Sequence, residues 1–348
     1  MTCQDCHGGP EPGTFKTAAQ AHTGLVDNPN EVCGACHAEQ ELAMENSMHA
    51  NLWGERAAIE ARAGITLEGS PHERQFEGKC GSCHATCGQC HVTRPKSVGG
   101  GFPKIGAYYS HRFSKTPDMN EQCTACHGSR IGTDFKGELE GNLPDIHRSK
   151  GYKCEFCHKA EEMHGDGQYT GDHYNHRYEV ATMPRCEDCH QVPPNAHHSM
   201  HVNVPGRNLQ CQVCHSQPYK NCTNCHNLAD DFDIDPSRVQ LKIARNPSPY
   251  RTEYDYVLVR HVPVDPGTFA DWGLDLPNYL SRPTWQYTSP HNIRRVTAQA
   301  IGCDTCHDSP DGPNGYFLRE SDLYEDDGVT KLPDYDANIG IVVPDDTP

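Results

Sequence analysis

The pattern Cys-x-x-Cys-His occurs ten times in the 348-residue chain and uses every one of its 20 cysteines. The first five copies are Cys3, Cys6 and His7; Cys33, Cys36 and His37; Cys80, Cys83 and His84; Cys87, Cys90 and His91; and Cys123, Cys126 and His127. The second five are Cys154, Cys157 and His158; Cys186, Cys189 and His190; Cys211, Cys214 and His215; Cys222, Cys225 and His226; and Cys303, Cys306 and His307. Two copies stand almost end to end in CGSCHATCGQCH, separated only by Ala85 and Thr86. Any fold must therefore bring ten pairs of thiols, each followed by an imidazole, into one chemistry.

Three chemistries use such cysteines. A disulfide framework or a zinc site is the plainer reading, but tetrahedral zinc does not require histidine directly after the second cysteine. Histidine is 23 of 348 residues. Ten of ten by chance is then on the order of 10⁻¹². The pattern is the attachment signal of c-type haem: two thiols meet the two vinyl groups of one porphyrin, and the histidine ligates its iron from one side. Ten covalently attached haems are expected.

That expectation resolves an oddity of composition. Hydrophobic residues are only 35 % and the mean hydropathy is -0.76, values that suggest a poorly cored chain. Large flat porphyrins tied twice to the backbone can serve as the core instead, with the polypeptide as wrapping. The expected fold is a multihaem cytochrome c: mostly loops and short α-helices around a closely packed haem chain, with 31 Gly and 26 Pro supplying the turns. A compact chain of this length has a radius of gyration of about 20 Å, so ten porphyrins would lie nearly in contact.

The formal net charge is -17. An acidic surface repels nucleic acid and anionic membranes, and suits basic redox proteins, metal cations or mineral surfaces. No apolar run approaches transmembrane length. Bacteria attach haem to this motif outside the cytoplasm, so an exported chain, periplasmic or extracellular at the cell surface, is expected. With its first cysteine at residue 3 the chain reads as the mature form, its signal peptide removed.

Three regions are expected along the chain: a nine-haem region over 1–226, a motif-free segment over 227–302, and the tenth motif with an acidic tail over 303–348. The best helical pattern runs from about Ala38 to Ala63 and stops at Gly64. In the motif-free segment, Val239, Leu241 and Ile243 alternate with polar residues. Tyr254, Tyr256 and Leu258 alternate with Asp255, Val257 and Val259, and Asn246 to Pro249 offers a turn between the runs. The reading is a small β-hairpin module, with Trp272 and Trp285 near it. The tail from Asp308 onward is expected to wrap the surface or a neighbouring subunit. Asp231, Asp233 and Asp235 alternate as calcium ligands can, but Pro236 stands where a calcium loop needs glycine, and a solvated acidic turn is the simpler reading.

Ten histidines belong to the motifs, leaving 13. Ten bis-histidine irons need ten of these. The candidates are His22, His49, His72, His111, His147, His164, one of His173 and His176, one of His197, His198 and His201, His261 and His291. In most proteins a lone histidine is a surface or hydrogen-bonding group. Here so many fall in the intervals between motifs that ligation is the better expectation. Met44, Met48 and Met163 are expected to pack rather than ligate, because methionine ligation would leave histidines unused. For the close motifs at His84 and His91, the nearest candidate partners are His72 and His111.

Together these residues resemble the multihaem c-type cytochromes of anaerobic and metal-reducing bacteria. The segment CGACHAEQELAMENSMHANLW also resembles the motif, helix and histidine arrangement of octahaem reductases and their non-catalytic relatives. By that resemblance His49 serves a haem other than the one at His37. Relatives of this kind include periplasmic shuttles, outer-surface conduits and cytochromes that polymerise into filaments.

Two function classes follow. With every iron ligated twice by histidine the chain is an electron carrier rather than an enzyme, exchanging electrons with other redox proteins or extracellular acceptors. The thinly covered first motif and the acidic tail motivate head-to-tail contacts between copies, so a homopolymeric filament stands beside the single particle. The competing class is a reductase or oxidase of small nitrogen or sulfur compounds, which needs one open iron. Every motif ends in histidine, whereas related nitrite reductases often place lysine in one.

Overall fold

The computed structural model describes residues 3–11, 13–14, 16–21, 23–25, 29–79, 86–92, 113–165, 179–180, 182–217, 241–307 and 315–345. Cys80, Cys83, His84, His22, His111, His173, His176, Cys222, Cys225 and His226 lie outside these, as do Asp231, Asp233 and Asp235 and the side chain of Cys3. The chain divides into two compact units. The first comprises 1–54, 77–126 and 153–183; the second comprises 55–76, 127–152 and 184–348.

The first unit is built from short helices, among them Cys3–His7, Pro29–Gly34, Ala38–Glu45, Met48–Asn51, Cys87–His91, Cys154–Cys157 and Ala160–His164. Its buried apolar side chains, among the described residues, are Met44, Met119 and Val180. Three such side chains fall far short of the dozens of contacts that hold a domain of this size together.

The helix expected over 38–63 is broken twice. Ser47 is buried at 2 % exposure; its hydroxyl donates to the Met44 carbonyl at 2.8 Å and accepts from the Ala50 amide at 3.2 Å. It thereby closes one helix and caps the next, Met48–Asn51. Leu52 then takes a left-handed conformation, φ 48, and the chain restarts as Trp53–Ala63. Gly64 does end this helix, with φ 70, and a Cβ there would stand 2.8 Å from the Asn278 side-chain nitrogen. Helix propensity across the stretch was uniform; a buried hydroxyl decided where it breaks.

The second unit has a core of side chains. Strands β1 (Lys242–Arg245), β2 (Tyr256–His261) and β3 (Trp285–Tyr287) form an antiparallel sheet in the order β1-β2-β3. Ile243 pairs with Leu258, and Val259 with Tyr287. The sheet differs from a two-stranded, one-sided hairpin: β2 is central, and Val257, Leu258 and Val259 are all buried. Residues 246–255 connect the first two strands, pinned where the Asn246 side chain donates to Tyr254 O at 3.0 Å. Trp285 is fully buried in β3, and Trp272 is buried in a 3-10 turn.

The tail is not a loose wrapping. Ile243 N donates to Tyr316 O at 2.6 Å and Leu318 N to Ile243 O at 2.8 Å, so residues 316–318 extend the β1 edge. Leu318 and Leu323 are fully buried and Val343 nearly so. Asn338 Oδ1 accepts from the amides of Thr284 at 3.0 Å and Trp285 at 3.1 Å, holding the start of β3. The acidic composition of this stretch hides a few well-spaced apolar residues that pay for its docking.

This sheet also fixes a motif. Leu209 bridges to Tyr256, Gln210 N donates to Tyr256 O at 3.0 Å, and the Gln210 side chain accepts from Leu258 N at 2.8 Å. Val213, inside the helix Cys211–His215, packs with Ile243 and Leu258. Among the described residues no helix is long and apolar enough to cross a membrane.

Candidate metal centres

Each described motif is close to one helical turn. The histidine amide donates to the carbonyl of the first cysteine at 2.9 Å in Cys33–His37, 3.0 Å in Cys154–His158, 2.9 Å in Cys186–His190 and 3.0 Å in Cys303–His307. Helices run over Cys3–His7, Cys87–His91 and Cys211–His215 themselves. On such a turn the cysteines at i and i+3 and the histidine at i+4 share one face. Two sulfurs and a ring nitrogen thus point the same way, and among the described residues no cysteine is in a disulfide.

Four imidazole pairs join described residues. His91 and His164 have ring centroids 5.8 Å apart, His147 and His190 5.8 Å, His198 and His215 6.2 Å, and His201 and His307 6.1 Å. Each pair takes one histidine from a motif and one from outside the motifs. In His147 and His190 the two Nε2 atoms face one another at 3.5 Å. Two imidazoles that held one metal ion between them through bonds of about 2.0 Å would have centroids roughly 6 Å apart and nitrogens about 4 Å apart, a little wider than the His147–His190 nitrogens stand. An N–H···N hydrogen bond would account for one pair, but it gives no reason for every pair to couple a motif with a non-motif residue.

The surrounding hydrogen bonds set the tautomer. His91 Nδ1 lies 2.7 Å from Ser114 O, His215 Nδ1 3.1 Å from Arg294 O, and His198 Nδ1 2.8 Å from Pro193 O. A carbonyl can only accept, so at His91 and His215 Nδ1 carries the proton and Nε2 keeps a lone pair, whereas His198 Nδ1 also lies 3.0 Å from the Asn195 side-chain nitrogen. His147 Nδ1 sits 2.9 Å from Asp145 Oδ1, and His158 Nδ1 lies 2.8 and 3.0 Å from the two Glu162 carboxylate oxygens. His164 is held below the usual imidazole pKa by burial and then by His91; His201 is lowered by burial and then by His307. Both shifts favour the neutral ring, the form in which a histidine ligates.

Local sequence explains the placements. Thr86 and Gln89 form a capping box that starts the helix ending at His91, and Asn30 Oδ1 accepts from Cys87 N at 2.9 Å. His164 ends the helix Ala160–His164, where Gly165 turns away at φ 82 so close to Ala43 that a Cβ would meet its carbonyl at 2.7 Å. Asn195 caps the helix Ala196–His201 by accepting from His198 N at 2.9 Å. That helix sets His198 and His201 on neighbouring positions for two different motifs.

Sulfurs of different motifs also meet. The Cys154 thiol donates to Cys123 and draws it down to about 7, while Cys154 is pushed up in return. Cys186 is lowered by its bond from Cys211, which is raised. Burial, then Cys33, pushes Cys87 up to about 11; burial, then Cys214, pushes Cys306 up to about 11. Groups carried on these sulfurs would be neighbours. Cys186, Glu187 and Cys211 place three donor atoms within 4.8 Å. That is one short of a closed zinc site, and both sulfurs belong to motifs.

Large apolar side chains lie outward beside the motifs. Phe156 is inside Cys154–His158, Val192 follows His190, Met200 stands between His198 and His201, and Ile301, 74 % exposed, precedes Cys303. Such a patchwork suits a large apolar body seated on the motif face.

The remaining candidates divide. His7, His37 and His127 sit on motif turns, His49 in Met48–Asn51, and His72 just before the helix Glu73–Lys79. His291 Nδ1 lies 2.9 Å from Ser289 O. His261 is in β2, 6 % exposed, with Nε2 3.0 Å from Asp334 Oδ2 and its ring 5.1 Å from that of Trp285. The ring that faces His91 is His164, from a separate helix, while His84 and His111 lie outside the described residues. Sequence reading also allotted the cluster one ligand, whereas both His198 and His201 face motif histidines. It missed Asp145 and Glu162, although an acid two before or four after a histidine was a signal. Comparison with protein-family models, curated proteins and solved structures found no match.

Proposed function

We propose that this chain is an exported electron carrier of the multihaem c-type cytochrome kind, each haem bound through two cysteines and clasped between two histidines. The observation that carries this reading is the make-up of the four imidazole pairs, each one motif histidine against one from elsewhere. The donor set fits the group: paired thiols and an imidazole on one helical face, a second imidazole facing the first, and apolar side chains around them. Bound haem supplies a one-electron iron couple, and two histidine ligands keep that iron low-spin and closed to substrate.

The polypeptide's own tasks are positional. The Cys-x-x-Cys-His turns fix which face each group presents. Ser114, Arg294 and Pro193 orient imidazoles through backbone carbonyls, and sulfur contacts between motifs set neighbours close enough for electrons to pass. Intact mass of the purified holoprotein tests the reading: ten added haems and no titratable thiol are expected. A mass carrying zinc, or thiols that react freely, would refute it.

A further inference from the structure

The histidines that share this chemistry do not share the same support. Resting on the haem reading above, we propose that Asp145 and Glu162 are potential-setting residues, which make the irons held at His190 and His158 harder to reduce than the carbonyl-supported irons at His215 and His91 of the same compact units. Asp145 is the better built. Its side chain is 3 % exposed, with Oδ1 2.9 Å from His147 Nδ1, and it also accepts from His147 N at 2.7 Å and from Ile293 N at 2.8 Å. His147 is the imidazole whose Nε2 faces His190 Nε2. Glu162, 7 % exposed in its side chain, lays both oxygens on His158 Nδ1 from the next turn.

In each unit a carbonyl-supported ring provides an internal reference. In the first, His91 leans on Ser114 O; in the second, His215 and its partner His198 both lean on carbonyls. A carbonyl supplies a dipole, whereas a buried carboxylate supplies a full negative charge next to the ligand and pulls its Nδ1–H, raising donation from Nε2. Both effects favour the more positive iron and so lower its potential, and burial limits screening by salt. The chain thus grades its irons by what stands behind each ring.

The test is redox titration of the intact holoprotein, followed by visible absorbance and by paramagnetic resonance, for wild type, Asp145→Asn and Glu162→Gln. Each variant is expected to shift the titration of one haem in ten upward, by about tenfold in its one-electron equilibrium, which is about 59 mV. One low-spin resonance should move with it. Asp145 also holds Ile293 N, so if Asp145→Asn loses haem or unfolds, Glu162→Gln carries the test alone. Variants that keep ten low-spin haems yet titrate as wild type, or shift downward, overturn the proposal while leaving the electron-carrier reading intact. A wild type lacking low-spin haem refutes that reading itself.

Discussion

The two compact units solve the folding problem differently. The second buries Trp285, Val257, Val259, Leu276, Leu318 and Leu323 around a three-stranded sheet, an ordinary side-chain core. The first holds five whole motifs and the two cysteines of a sixth and, among its described residues, buries Met44, Met119 and Val180. Burying a large apolar side chain contributes about 1.5–3 kcal/mol, so three of them cannot offset the ordering of such a length of chain. Where Cys-x-x-Cys-His turns are dense, the described side chains build little core, and under the proposed reading bound haems would fill it. Where they are absent, between His226 and Cys303, side chains take over.

The strongest way to break this contrast is to remove the haems. Chemical cleavage of the thioethers should abolish amide protection throughout the first unit while β1–β3 keep much of theirs, read by hydrogen exchange with mass spectrometry. Equal loss in both units would contradict it. Next in size is Trp285→Ala, expected to destabilise the second unit by about 3–5 kcal/mol in denaturant titration. The resonances of irons in the first unit should stay as they are. The smallest effect sharpens the line between structural and ligating histidines. His261→Ala removes one side-chain donor to the buried Asp334, another being the Thr284 hydroxyl, and should lower stability by about 1–2 kcal/mol without producing high-spin iron.

What was legible in the sequence follows the same division. The motif turns could be read directly, because the spacing of two cysteines and a histidine is itself the geometry of one helical turn. The antiparallel pairing around Ile243 and Leu258 was visible in β-branched and aromatic runs. The third strand was not, since Trp285–Tyr287 is three residues long and owes its place to Asn338 and to pairing with β2. The tail's docking was masked by its acids. At the candidate metal centres the supply of histidines was legible but the ring pairing was not: His164 reaches His91 through the packing of the helix Ala160–His164 near Ala43, which no local pattern encodes. The double use of the helix Ala196–His201 was likewise a matter of two motifs meeting its two histidines in space.

The most direct measurement is a quantitative paramagnetic resonance spin count on the oxidised holoprotein, wild type against His164→Ala. The expected result is ten low-spin ferric haems in the wild type and the conversion of one of them, the haem at His91, to a high-spin signal in the variant. A substantial high-spin population in the wild type, or a variant whose spectrum is unchanged, would contradict the pairing of motif and non-motif histidines on which the electron-carrier reading rests.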